Sequence, residues 1–247
     1  MAYYLSQDNS WNMGYRTISI IQFSLVFVLL IALPLWRRNK NTAILEKHSA
    51  NQKKNLFSIP GVKEVLITFF CYCGIEMITG LWGASYLVTE KGIEPQIAAK
   101  WISLYYIGIT AGRFISGFAT MKFTNRQMIR LGQSIIGIGI IIIALPFGND
   151  LLLPGLFLIG LGCAPVFPSL IHETPVSFGK ENSQAIMGLQ VGSAYIGTTV
   201  MPPAFGWLAS FTGFGIFPVF IGIALIIKIF MSESLNRKVD RALLRKN

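Results

Sequence analysis

Charge is scarce in this sequence. Only 13% of its 247 residues are Asp, Glu, Lys or Arg, about half the usual share of roughly 25% in a globular domain. A soluble fold of this length could not cover its surface with so few charged groups. Cysteine is scarce as well, and three cysteines in 247 residues exclude a small secreted module stapled by disulfides. There are two histidines, His48 and His172. His172-Glu173 has no second histidine four residues on, so it is not a zinc-protease motif. Cys71 and Cys73 sit inside an apolar run on opposite helix faces, with no second pair. No metal site, phosphate loop, nucleophile triad or catalytic residue is expected, and no cofactor is implied. Apolar side chains are plentiful instead: 53% of the chain, with a mean hydropathy of +0.56. Disordered chains are poor in such residues. The class that remains is a polytopic, all-α membrane protein and not an enzyme.

The apolar runs predict seven transmembrane helices, over 15–36, 61–88, 97–121, 127–147, 152–172, 184–209 and 213–232. Each has about 20 residues or more, enough to cross a hydrocarbon core of about 30 Å. Lipid offers no partner to an unpaired backbone group, and the runs lack the alternation of barrel strands, so the spans read as helices. The run Ile135–Leu145, IIGIGIIIIAL, carries no polar side chain at all. The first span is not a secretory leader. Met1–Ser10 has one acid, Asp8, and no base, and the basic cluster follows the apolar run instead of preceding it.

The net charge of +10 would suggest nucleic acid in a soluble protein, but its placement removes that reading. With residues 1–14 outside, only Arg16, Lys91 and Lys100 fall on the outer side. The other 18 of the 21 basic residues, including Arg37, Arg38, Lys40, Lys63, Arg113, Lys122, Arg126, Lys180, Arg237 and Arg241, fall on the inner one. That asymmetry predicts a cell-membrane protein with its amino end outside and its carboxyl end in the cytoplasm. Trp11, Trp36, Trp82, Trp101 and Trp207 lie near expected span ends, where amphipathic rings favour the interface. Residues 237–247 read as a basic cytoplasmic tail, serving as a topology anchor or, less simply, as a headgroup contact.

The third and sixth spans repeat a pattern 89 residues apart. Tyr106-Ile107-Gly108-x-Thr110 matches Tyr195-Ile196-Gly197-x-Thr199, and Gly117-Phe118 matches Gly206-Trp207. The two spans run in opposite directions, each in the middle of a three-helix group. That predicts a 3+3 inverted repeat with the first span outside it. Gly108-x3-Gly112 and Gly188-x3-Gly192 would let backbones approach closely.

The stretch WISLYYIGITAGRFISGFATMKFTNRQMIR (101–130) resembles the eighth helix and following loop of the major facilitator superfamily. Gly117, Lys122 and Arg126 match that loop's motif, while Met121 stands at its acid and Thr124 at its second glycine. A latch relying on the missing acid is therefore not expected. Tyr72-Cys73-Gly74-Ile75-Glu76, Trp82–Tyr86, GLGCAPVFPSLIHETP (160–175) and SQAIMGLQVGSAYIG (183–197) resemble the fucose-permease-like sugar:proton symporters of that family. The resemblance implies a sixth family helix (1–36, with its outside end), a central cytoplasmic loop (37–60) and the six-helix carboxyl half (61–236). The amino-terminal half has no counterpart in these residues, so the chain reads as a fragment, expected to transport nothing by itself.

Within this frame Glu76 is the most informative residue. It sits at mid-span, where a bare acid costs about 2.5–3.5 kcal/mol, so it faces a wet cavity, pairs with a base or holds a proton. Tyr72 shares its face one turn earlier. Tyr106 and Gln190 are further candidates for contact with a solute or proton, against the plainer reading of interhelical hydrogen bonds. Arg113, Gly117, Lys122, Arg126 and Glu173 are candidates for gating, with Glu173 as acid to Arg113 or Arg126, against snorkelling and topology. Lys228 reads as snorkelling near a span end. Pro165, Pro168, Pro175, Pro202 and Pro203 are expected to interrupt helices. The function these readings imply is transport of a small polar solute, with a sugar as the candidate, and with protons and the lipid bilayer as its other partners. The alternatives are a membrane-embedded assembly subunit or an efflux protein for apolar compounds.

Overall fold

The structure is a computed structural model that describes residues 11–32, 56–145 and 148–244. It divides into two units. Met1–Lys54 contains α1 (Trp11–Ala32), and Asn55–Asn247 contains the remaining elements. In chain order these are α2 (Val62–Thr89), α3 (Pro95–Ala119), α4 (Asn125–Ala144), α5 (Leu152–Cys163), α6 (Val166–Phe178), α7 (Lys180–Thr212) and α8 (Phe217–Leu244). No strand occurs among the described residues. The expected central loop from 37 to 55 lies outside them, with Trp36 and the bases Arg37, Arg38 and Lys40.

α5 and α6 are halves of one rod, so the seven expected spans correspond to seven rods. The break falls at Ala164-Pro165. Pro165 and Pro168 have no N–H to offer the carbonyls of Leu161 and Ala164, and the ladder fails there. Pro202 and Pro203 behave differently: α7 passes through them without interruption. Among the described residues, five spans are long and apolar enough to cross a membrane by length and composition. The two rods below that apolarity are α3 and α7, the members of the sequence repeat. Their polar residues have a use, described below.

The packing obeys the repeat. α2 packs most heavily on α7, and its counterpart α5 packs on α3. α4 packs on α5, and its counterpart α8 packs on α2. Repeat-related glycines do the same work in each copy. A Cβ on Gly108 would sit 2.5 Å from the Phe157 carbonyl oxygen, and one on Gly197 would sit 2.4 Å from that of Phe70. Gly112 is held equally close, 2.7 Å, to the Leu161 carbonyl. Gly188 and Gly192 meet nothing within 4 Å, so this pair, expected to pack tightly, faces open space in the described structure. Gly108→Ala is therefore expected to destabilise by about 1–3 kcal/mol through overpacking against backbone. Gly188→Ala should be neutral or stabilising by up to about 1 kcal/mol through helix propensity. Thermal unfolding of both variants in detergent checks the contrast.

Thr124, which stands where the family loop has a glycine, caps α4. Its hydroxyl accepts from the Gln127 N–H at 3.3 Å, while its own N–H donates to Gln127 Oε1 at 2.9 Å. This reciprocal box satisfies two orphan donors of the helix start. α8 runs on to Leu244, so residues expected to begin a tail at 237 form its last turns. Val239 is buried there, Lys238 pairs with Glu64 of α2, and Asp240 pairs with Arg126 of α4.

Candidate functional site: a cavity around Glu76

Helical periodicity places the polar residues. On α2, Tyr72, Cys73, Glu76 and Met77 share one face. On α7, Val191, Ala194, Tyr195 and Thr198 follow the spacing i, i+3, i+4, i+7. α3 adds Tyr106 and Arg113, two turns apart, and α6 adds Phe167. Together these eleven side chains line a cavity of about 350 Å³. The volume falls within the roughly 300–1,000 Å³ range of small-molecule sites. The two repeat tyrosines, Tyr106 and Tyr195, enter it from the two repeat helices.

Glu76 lies 14 residues into α2, about 21 Å along it at about 1.5 Å per residue. The Tyr72 hydroxyl is 2.5 Å from Glu76 Oε2 and 2.9 Å from the Cys163 carbonyl oxygen, in the break between α5 and α6. Tyr105, fully buried, donates to the backbone carbonyl of Glu76 at 3.0 Å. The acid is thus fixed from both sides: through its side chain to the broken rod and through its backbone to α3. Of the adjacent tyrosines 105 and 106, only the second lines the cavity. Phe167 packs on Tyr72, with ring centroids 6.4 Å apart, and holds that phenol in place.

Gln190 is not in the lining. It is fully buried, and its Nε2 donates to Thr174 Oγ1 at 2.9 Å, tying α7 to α6. Gln190→Leu is expected to cost about 1–3 kcal/mol of stability by leaving Thr174 short of its partner, with solute affinity unchanged. Detergent unfolding and binding measured side by side check this.

The candidate gating residues separate into two places. Arg113 lines the cavity with Glu76. Arg126 takes Glu173, with Nε 2.9 Å from Oε1, and its other arm reaches Asp240 at 2.8 Å. Asn125 adds a hydrogen bond to Glu173 at 3.3 Å. One guanidinium therefore joins α4, α6 and α8. Arg130 adds a two-pronged bond to Glu233, 2.7 Å on each arm. Lys122 is exposed and enters no ion pair among the described residues, and Gly117 meets nothing within 4 Å.

Lys228 departs from its sequence reading. It lies 11 residues inside α8, is fully buried, and its Nζ finds no hydrogen-bond partner among the described residues. The Nζ stands 5.9 Å from the centre of the Tyr72 ring. Placing the span end at 232 made it look peripheral; the helix continues twelve residues further. The lining residues Cys73, Met77, Phe167, Val191, Ala194 and Thr198 were also missed. Their helical phase relative to Glu76 and Tyr195 was the available signal.

Comparison with known proteins agrees with this architecture. Residues 64–243 match the model of the Major Facilitator Superfamily. An uncharacterized MFS-type transporter of Yersinia pestis is 24% identical over 83% of this chain and 52% of its own length. The glucose/mannose transporter GlcP of Bacillus subtilis is 25% identical over 56% of this chain and 34% of its own. The chain thus spans about half the length of the curated relatives it matches, or less. The crystal structure of the transporter FucP in its outward conformation superposes with a TM-score of 0.63, at 16% identity, over 73% of this chain and 44% of FucP. The family match covers most of the sequence, and the chain belongs to the Major Facilitator Superfamily.

Proposed function

We propose that this chain forms the carboxyl half of a proton-coupled secondary transporter that moves a small polar organic solute through the cavity around Glu76. The observation that carries the reading is the Glu76–Tyr72–Cys163 contact on the cavity wall. One phenol proton cannot serve two acceptors. With a proton on Glu76, the carboxyl group donates to Tyr72 and Tyr72 donates to the Cys163 carbonyl, and every group has a partner. Without that proton, one acceptor competes with the other, and the tie to the broken rod slackens. Loading and unloading of the acid thus bears on how α5 and α6 meet α2. A rod broken beside the site is the pattern found where secondary transporters bind their cargo. A fold neighbour of this chain is a fucose:proton symporter, and one relative carries glucose and mannose; both fit the reading.

In this reading an amino-terminal half supplies the other cavity wall, the carboxyl end is cytoplasmic, and the Arg126–Glu173–Asp240 cluster secures the inner end of the bundle. Alternating access rocks one half against the other. The test is uptake into membrane vesicles from cells expressing the full reading frame that contains these residues. An imposed inward proton gradient should drive solute accumulation, and a protonophore should abolish it. Accumulation that ignores the gradient would contradict proton coupling.

A further inference from the structure

The cavity lining contains one acid, Glu76, and one base, Arg113. The Arg113 guanidinium is exposed and enters none of the ion pairs among the described residues. The acids of α6 and α8, Glu173, Asp240 and Glu233, already hold Arg126 and Arg130. Behind Tyr72 lies a second base, Lys228, wholly buried and without an acceptor. The partner of Glu76 is the Tyr72 hydroxyl, not either base. Among the described residues the cavity wall therefore presents a guanidinium with no carboxylate on it, beside an acid already held by a phenol. A guanidinium presents a planar fork of donors that matches a carboxylate on two bonds.

We infer that the solute itself bears a carboxylate, which docks on Arg113, while Tyr106, Tyr195 and Phe167 flank its body. The ligand class is a polar organic acid, such as a sugar acid, in preference to a neutral sugar. The inference rests on the transport reading above and narrows it. It also gives the coupling a simple charge balance: one proton on Glu76 and one monoanion on Arg113 cross together without net charge movement.

Thr198→Cys supplies the probe, since position 198 lines the cavity and is half-buried, whereas Cys71, Cys73 and Cys163 are buried thiols that react slowly. In membranes expressing the full reading frame with this substitution, alkylation at position 198 by N-ethylmaleimide is followed with matched solutes: glucose against glucuronate, galactose against galacturonate, with gluconate and lactate added. At least one carboxylate is expected to protect position 198 at about a tenfold lower concentration than its neutral match, the worth of a charge-assisted pair. Arg113→Gln should remove that preference and Arg113→Lys should keep part of it; the lysine variant carries the comparison if the glutamine variant does not reach the membrane. Equal protection by neutral and acidic members, or an acid preference that survives in Arg113→Gln, would overturn the substrate class and leave the transport reading standing. Protection by no member of the panel would count against both.

Discussion

Glu76→Gln should abolish proton-driven accumulation while leaving solute exchange in place. Glutamine has nearly the shape of a protonated glutamate. It can donate its amide N–H to Tyr72, whose hydroxyl still reaches the Cys163 carbonyl, so the wall of the cavity stays intact. What it lacks is a proton to release. One unit of pH gradient acting through one proton supports about tenfold accumulation at equilibrium, because one unit is about 1.4 kcal/mol. In the variant the accumulation ratio should fall to about one whatever gradient is imposed, whereas exchange of labelled for unlabelled solute continues. Tyr72→Phe makes the comparison sharper. It removes the phenol from both acceptors at once, so it should reduce exchange as well as accumulation. Undiminished accumulation in Glu76→Gln removes the acid from the coupling mechanism.

Lys228→Met should make the protein more stable and less active. A buried base without an acceptor loses its hydration and gains no hydrogen bond in return. Replacing it by an apolar side chain of similar volume removes that cost and is expected to stabilise by about 1–3 kcal/mol. Methionine is the right replacement, since alanine would leave a cavity in the packed interface of α8 with α2 and mask the gain. The midpoint of thermal unfolding in detergent should rise, while uptake by the full reading frame should fall. This combination marks a residue retained for function at the expense of stability. A lowered midpoint would mean that Lys228 has an acceptor in the folded protein and would contradict this expectation.

Much of this was legible in the sequence. Apolar runs of about 20 residues located every rod, because a membrane-spanning helix has no other way to satisfy its backbone. Of the glycine pairs expected to pack closely, Gly108 and Gly112 meet a carbonyl of the neighbouring rod while Gly188 and Gly192 do not; Gly197, the repeat match of Gly108, does so in their place. Glu76 and Tyr72 were placed together by their spacing of four. Three features were less legible. Gln190 looked like a sugar ligand because an amide in a membrane helix needs some partner, and sequence does not say whether that partner is solute or Thr174. Arg113 looked like a gate residue because its depth could be counted along α3 but its direction could not. Lys228 looked peripheral because hydropathy falls at Ser232-Glu233, although the helix persists beyond it and exchanges ion pairs with α2 and α4 instead of ending.

Transport through this cavity depends on water reaching its wall at mid-membrane depth. The most direct test places a single cysteine at position 76, with Cys71, Cys73 and Cys163 replaced by serine or alanine, and compares a membrane-impermeant, charged thiol reagent with a lipid-soluble one. Water in the cavity requires that the charged reagent modify position 76, and that the Ile75→Cys variant in the same background, at a fully buried position, stay unmodified. Modification of position 76 by the lipid-soluble reagent alone would place the acid against hydrocarbon and contradict the account.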